Sequence, residues 1–453
     1  MPATSANIDL LYSLDDKPPF FTCLSVAFQH VLACFIGIVT PTLIIGSVLN
    51  LGEDIPFLIS MALIASGIGS FIQTRQFGPF GSGLVTIQGT SFAFISALII
   101  AGSSVRAEGG SNADIMSLVA GLTITGALVE ILVAFFIDSI KRVITPVTTG
   151  IVITAIGLSL IKVGMTDFAG GFYTLQQDPD NFGSLSHLAV GLTVVLTIVF
   201  LNATSNRWLR LSAIFMGMLA GTVVAFIQGN LHIQIPDNFN WLMLPNPLKY
   251  GVSFDLSLFA PVVIIYFFSA IETAGDLTAN SVFCQQPTQG KRYMARIRGG
   301  IMADGINSII AGVLCSFPNT TFGQNNGVIQ LTGVASRKIG FFVAALLVLL
   351  GLFPITGLVL QSLPKPVIGG ATLIMFGMVA AGGIRVLTHN DLNRIQSLIV
   401  ATALGAGMGV MLVPEALNQL PLWAKNLLAS PVTTSGIVAI SLTLLLEKRP
   451  ASD

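Results

Sequence analysis

The sequence predicts an all-α polytopic membrane protein, fourteen transmembrane segments arranged as two inverted seven-segment repeats. Three observations carry that expectation: a composition too apolar for water, fourteen apolar runs of spanning length, and a motif that returns seven runs later. Of the 453 residues, 53% are hydrophobic and only 9% charged, against about 25% charged in soluble globular chains. Basic and acidic residues balance at 21 each, so net charge points neither to a nucleic-acid partner nor to an electrostatic anchor on a lipid surface.

Taken in order, residues 1–21 are acidic and polar. They lack the basic start and short apolar core of a signal peptide and read as a cytosolic tail. Apolar runs follow near 22–47, 56–74, 81–102, 114–137, 143–161, 187–203, 208–228, 256–275, 299–316, 318–335, 339–358, 366–384, 392–412 and 431–446, each read against the roughly 20 residues a spanning helix needs. The third and tenth are broken by Gly, Ser, Thr, Gln and Asn. With a cytosolic N-terminus, only Arg106, Lys162, Lys249, Lys365 and Lys425 of the 21 basic residues fall outside. That asymmetry obeys the positive-inside rule and leaves residues 448–453 as a second cytosolic tail.

The repeat shows as Pro146-Val147 to Gly150 and Pro366-Val367 to Gly370, opening the fifth and twelfth runs. An odd number of spans between the copies turns them opposite ways through the bilayer, giving one repeat over 22–235 and the other over 250–447. The two broken runs are also seven apart. Interrupted spans in matching positions of inverted repeats point to a secondary transporter, with its site where the broken elements meet. There the amides Gln324, Asn325 and Asn326 would line a cavity, since bare polar groups facing lipid are costly.

Ionisable residues inside the runs are few, and each is a functional candidate by default. Glu272 and Asp276, four apart, share a helix face, where two dry carboxylates cannot both ionise cheaply. Asp276 alternatively caps or pairs with a loop. Asp304 suits either a structural pairing with the amide-rich loop or proton handling, and His30 either a core position or function. Glu130, without a visible partner, reads as a helix-packing or snorkelling residue. Cys23, Cys34, Cys284 and Cys315 show no metal or redox spacing and read as small buried hydrophobes. No cofactor or metal is called for, and no constellation of His, Cys and Asp suggests a membrane enzyme.

The run Gln324-Asn325-Asn326-Gly327-Val328-Ile329-Gln330-Leu331-Thr332-Gly333 resembles the signature of the nucleobase/ascorbate transporter family, also called the xanthine/uracil permeases. Gln29-His30 resembles that family's first-span pair, and Glu272-Thr273-Ala274-Gly275-Asp276 its eighth-span motif. The likeness is closest to bacterial xanthine permeases, in residues 317–337 and in IQGTSFAF at 87–94. It implies a core domain of segments 1–4 and 8–11, a gate domain of segments 5–7 and 12–14, and short strands in segments 3 and 10, each followed by a short helix. The runs VTIQGTSF and TTFGQN, with β-branched residues and glycine, are compatible with such strands.

By the same resemblance, Glu272 and Gln324 would bind the base, Phe92 would stack on it, and groups around Gly323, Ser91 and Asn325 would complete the contacts. His30, Asp304 and Asp276 would serve proton coupling. A carboxamide offers a donor beside an acceptor, matching the edge of a xanthine-like ring, while a carboxylate accepts from a second ring N–H. The implied activity is proton-coupled uptake of a purine nucleobase by alternating access, driven by the proton gradient alone. Xanthine is the expected substrate, with uric acid next and uracil less favoured because Gln324 is not acidic. The expected setting is the bacterial cytoplasmic (inner) membrane, the expected partners protons, the base, lipid and a second copy packed through gate domains. An anion exchanger of similar architecture is the rival outside the family, disfavoured by an acid at the site.

Overall fold

The computed structural model describes residues 10–140, 145–231, 241–388 and 391–446. The expectations for residues 1–9, for Lys141 and Arg142 and for the tail at 448–453 lie outside them. Among the described residues the first part of the chain runs α1 (Phe20–Val48), α2 (Ile55–Arg75), β1 (Gln88–Thr90), α3 (Ile95–Ala107), α4 (Asn112–Ile140), α5 (Pro146–Phe168), α6 (Phe172–Gln177), α7 (Leu185–Ala203), α8 (Arg207–Leu211) and α9 (Ala213–Ile227). The second runs α10 (Leu256–Phe283), α11 (Gly290–Val313), β2 (Asn319–Thr321), α12 (Gln324–Thr332), α13 (Arg337–Leu352), α14 (Ile355–Ser362), α15 (Lys365–Leu387), α16 (Arg394–Leu412), α17 (Leu422–Leu428) and α18 (Pro431–Leu446).

The fold is mostly helical, as expected. Eight helices are long and apolar enough to cross a membrane, nine if α13 and α14, bent by 73°, form one span. Reaching fourteen would also require the shorter apolar helices α9 and α18, the strand-interrupted segments that end in α3 and α12, and α11, whose first turns carry Lys291, Arg292, Arg296 and Arg298. Helix starts follow local chemistry. Thr145 and Thr148 form a capping box around Pro146, the residue that opens α5 with its φ already helical. Asp255 caps α10, accepting from the N–H of Ser257 at 2.7 Å and of Leu258 at 3.3 Å.

Helices pack in pairs whose order runs opposite ways, with glycine where backbones approach. On α5, Gly150 faces Gly383 and Leu387, Gly157 faces Phe376 and Ala380, and Gly164 faces Leu373 of α15. At the other end Gly369 of α15 faces Asp167 and Phe168. The first repeat motif thus meets the far end of the second repeat's helix, and the second motif the far end of the first's. The same exchange recurs where α2 packs on α13 and α4 on α11, while α7 on α9 and α16 on α18 are matching pairs within each half. Partners traded in this way are what two inverted copies of one module require.

The two expected strands are present and pair antiparallel: Gln88 with Thr321, Gly89 with Thr320, Thr90 with Asn319. The observed strands are shorter than the extended runs expected, and Gln324 and Asn325 begin α12 instead of prolonging β2. Gly89 has no room for a side chain, since a Cβ there would lie 2.6 Å from the Phe322 ring and 2.8 Å from Ile38. All four cysteines are buried and free, as small apolar residues would be.

Two groups of helices differ in exposure. Only 22% of the spanning window of α7 and 17% of that of α16 is buried, although both are apolar. Leu192, Leu196, Phe200 and Leu398 therefore point outward, which is the arrangement of a protein whose solvent is hydrocarbon.

Candidate functional site

The site forms where the strand pair gives way to α3 and α12. After β1 the chain passes Ser91 and a 3-10 turn (Phe92–Phe94) into α3; after β2 it passes Phe322 and Gly323 into α12. Both helix starts border one recess of about 60 Å³, lined by Ser91, Phe92, Glu272, Thr321, Phe322 and Gly323 among others. The first N–H groups of a helix have no acceptor within it, so two positive helix ends converge here. Broken elements meeting end to end supply polar backbone without exposing it to lipid.

Glu272 reaches the recess from α10. It is half-buried, and among the described residues nothing donates a hydrogen bond to its carboxylate. Phe92 stands nearly parallel to Phe322, with 7° between their planes and 6.3 Å between centroids, and is braced edge-on by Phe376 at 5.7 Å. Ser91 is buried, its hydroxyl without a partner among the described residues, while its N–H donates to the Pro318 carbonyl at 2.8 Å. The recess shares Phe92, Glu272, Gly323 and Val379 with a cavity of about 640 Å³ that also takes in Ala33, Gly37 and Asp276. That larger space shares Thr149, Gly275, Arg385 and Val386 with a further cavity, of about 640 Å³ as well.

Glu272, Phe92, Ser91, Gly323 and Asp276 are thus brought together around connected cavities. The side chain of Gln324 lies outside the described residues; its backbone opens α12 directly after Gly323. A Cβ at Gly323 would stand 2.9 Å from Asp276 Oδ1, so any side chain there would crowd that acid. Asp276 itself accepts from the Thr321 hydroxyl at 3.0 Å. The loop-capping alternative for Asp276 gives way to this contact with β2.

The remaining candidates sit behind this wall. Asn325 is buried and turned away, its amide donating to the Val85 carbonyl. His30 is 1% exposed, with Asn325 beside it and neither ring nitrogen in hydrogen-bonding geometry with a described group. Asp304 is fully buried and accepts from four donors: Gln88 and Thr273 at short range, Thr320 at 3.2 Å and Gln73 at 3.5 Å. These donors come from β1, α10, β2 and α2, and none of them belongs to the amide-rich loop with which Asp304 was expected to pair.

Of the two readings of Glu130, helix packing holds and snorkelling does not: it is 0% exposed within the helix pack, because α4 turns this face to α10 and α11. Sequence reasoning also missed Arg385, which lines both of the two larger cavities. Gln73 and Gln88, amides inside apolar runs, were the available signal for the cradle around Asp304.

Comparisons with known proteins agree with this architecture. The chain is 42% identical over 445 residues to Xanthine permease XanP of Escherichia coli (strain K12), covering 98% of this chain and 96% of that one. It is 42% identical over 442 residues to Xanthine permease XanQ of the same organism, covering 97% and 94%. The transmembrane domain of a cyanobacterium bicarbonate transporter, BicA, superposes with a TM-score of 0.62 at 13% identity, covering 94% of this chain and 100% of that one, a likeness of fold alone. A permease family, by the model named Xan_ur_permease, matches residues 21–416. The chain belongs to that permease family, and it is a transporter, not an enzyme.

Proposed function

We propose that this protein takes up a purine nucleobase, xanthine first, across the bacterial cytoplasmic membrane, coupled to proton entry. The observation that carries the reading is the half-buried Glu272 carboxylate, without a hydrogen-bond donor among the described residues, facing an aromatic-walled recess between two helix starts. A planar heterocycle fits that chemistry. Its ring N–H donates to Glu272, its carbonyl oxygens accept from helix-start N–H groups, and Phe92 covers its face. Gln324 supplies a second paired contact, and Ser91 tunes the rim. An anion would meet the same positive helix ends but also the carboxylate, which opposes it. The likeness to two xanthine permeases supports xanthine over uracil, and uric acid is the second substrate to test.

In the cycle proposed here, Glu272 is protonated or base-paired whenever the site crosses between faces, since a bare carboxylate resists desolvation. Asp276, Asp304 and His30 exchange that proton with it. A core of segments 1–4 and 8–11 moves against a gate of segments 5–7 and 12–14, with both termini cytosolic and gate domains paired in a homodimer. Xanthine uptake into proteoliposomes under an imposed pH gradient tests the coupling. Accumulation that collapses with the gradient is expected; accumulation indifferent to it would remove the proton from the scheme.

A further inference from the structure

Glu130 has no part in substrate binding as proposed, yet it is an acid fully enclosed in the helix pack. It is 0% exposed, and among the described residues neither carboxyl oxygen has a hydrogen-bond partner. The groups acting on it are Ser269, Glu272 and Tyr266 of α10 and Asp304 of α11, none of them a cation. A bare carboxylate among acids and hydroxyls, away from water, has nothing to hold its charge; a neutral carboxyl does not need it.

A line of hydroxyls connects this position to the cavity. Ser269, beside Glu130, donates to Thr320 Oγ1 at 3.4 Å, and Thr320 Oγ1 lies 3.3 Å from Thr273 Oγ1. Thr321 Oγ1 is 3.5 Å from Thr273 Oγ1 and donates to Asp276 Oδ2 at 3.0 Å. Asp276 lines the large cavity. Asp304 accepts from both Thr273 and Thr320 and so sits against the middle of the line.

We propose that Glu130 is a proton-holding site separate from the substrate recess, loaded from the cavity through Asp276, Thr321, Thr273, Thr320 and Ser269. A proton on Asp276 passes to Thr321 as the hydroxyl proton of Thr321 moves to Thr273, and the exchange continues until Ser269 gives its proton to the Glu130 carboxylate. Each hydroxyl breaks one O–H bond and forms another, so every intermediate group ends neutral and one proton is transferred. The reverse sequence empties the site. Asp304, a carboxylate that accepts from the two central threonines, takes up and releases the proton in transit, so that no hydroxyl has to carry a positive charge.

The inference rests on the proton-coupled reading, and its test is chosen not to depend on transport. The full chain, reconstituted without substrate, is titrated and followed by infrared difference spectroscopy in H2O and D2O. A neutral-carboxyl C=O band that shifts in D2O and vanishes in Glu130→Gln is expected; an unchanged band in that variant overturns the proposal. If melting shows that Glu130→Gln does not fold, Ser269→Ala decides. It keeps the acid and cuts the line, so exchange into the band should slow at least about tenfold, and unaltered exchange overturns the proposal. A band that behaves as expected while wild-type uptake ignores the pH gradient supports the Glu130 site and faults the coupling reading alone.

Discussion

At the scale of single residues, the acids inside the helices divide by what surrounds them. Asp304 is saturated by four donors, Asp276 holds one, and Glu272 faces its cavity with none among the described residues. Asp304 ties together the four elements that supply its donors. Asp304→Ala strands the donors of Gln88, Thr273 and Thr320 in a dry interior, and a loss of roughly 3–5 kcal/mol is expected, as for a broken buried charged network. Thermal melting of the detergent-solubilised protein checks this, and a melting temperature equal to wild type would refute it. The acids were legible in the sequence because each is costly in hydrocarbon. Their division was not, because the donors to Asp304 lie on four elements far apart along the chain, and Glu130 read alone offers no sign that its helix face is enclosed.

At the scale of elements, the strand pair and the glycine-lined helix seams hold the site. A three-residue strand is too short to be stable alone, and β1 and β2 persist because each supplies the other's backbone partners inside the helix pack. The α5 and α15 seam has no slack at Gly157, where a Cβ would stand 2.7 Å from both the Ala380 Cα and the Phe376 carbonyl oxygen. Gly157→Leu should therefore force the helices apart, with destabilisation of about 1–3 kcal/mol or more from overpacking. Melting and size-exclusion profiles of that variant measure it; an unaltered melting temperature would show that the seam can yield. The long helices were readable from apolar runs and the Pro-Val-x-x-Gly copies. The strands were not readable from composition, since Gln-Gly-Thr and Asn-Thr-Thr are ordinary loop residues until an antiparallel partner arrives from 231 positions away, as Gly89 meets Thr320.

At the scale of the whole molecule, helices trade partners between the two halves, and this exchange brings β1 and β2 from opposite halves to a single point. The positions of the broken runs, seven apart, were visible in the sequence; the cavities between them were not, because their walls draw on α1, α5, α10 and α15 at once. The fold shared with a bicarbonate transporter domain at 13% identity is a likeness of architecture alone. The central claim is that Glu272 and the recess it faces bind the transported base. Equilibrium binding of labelled xanthine to purified wild-type protein and to Glu272→Gln tests it most directly. Saturable binding in wild type that weakens at least about a hundredfold in the variant is expected for the loss of a buried charge-assisted contact, whereas equal affinity in the two proteins would contradict the account.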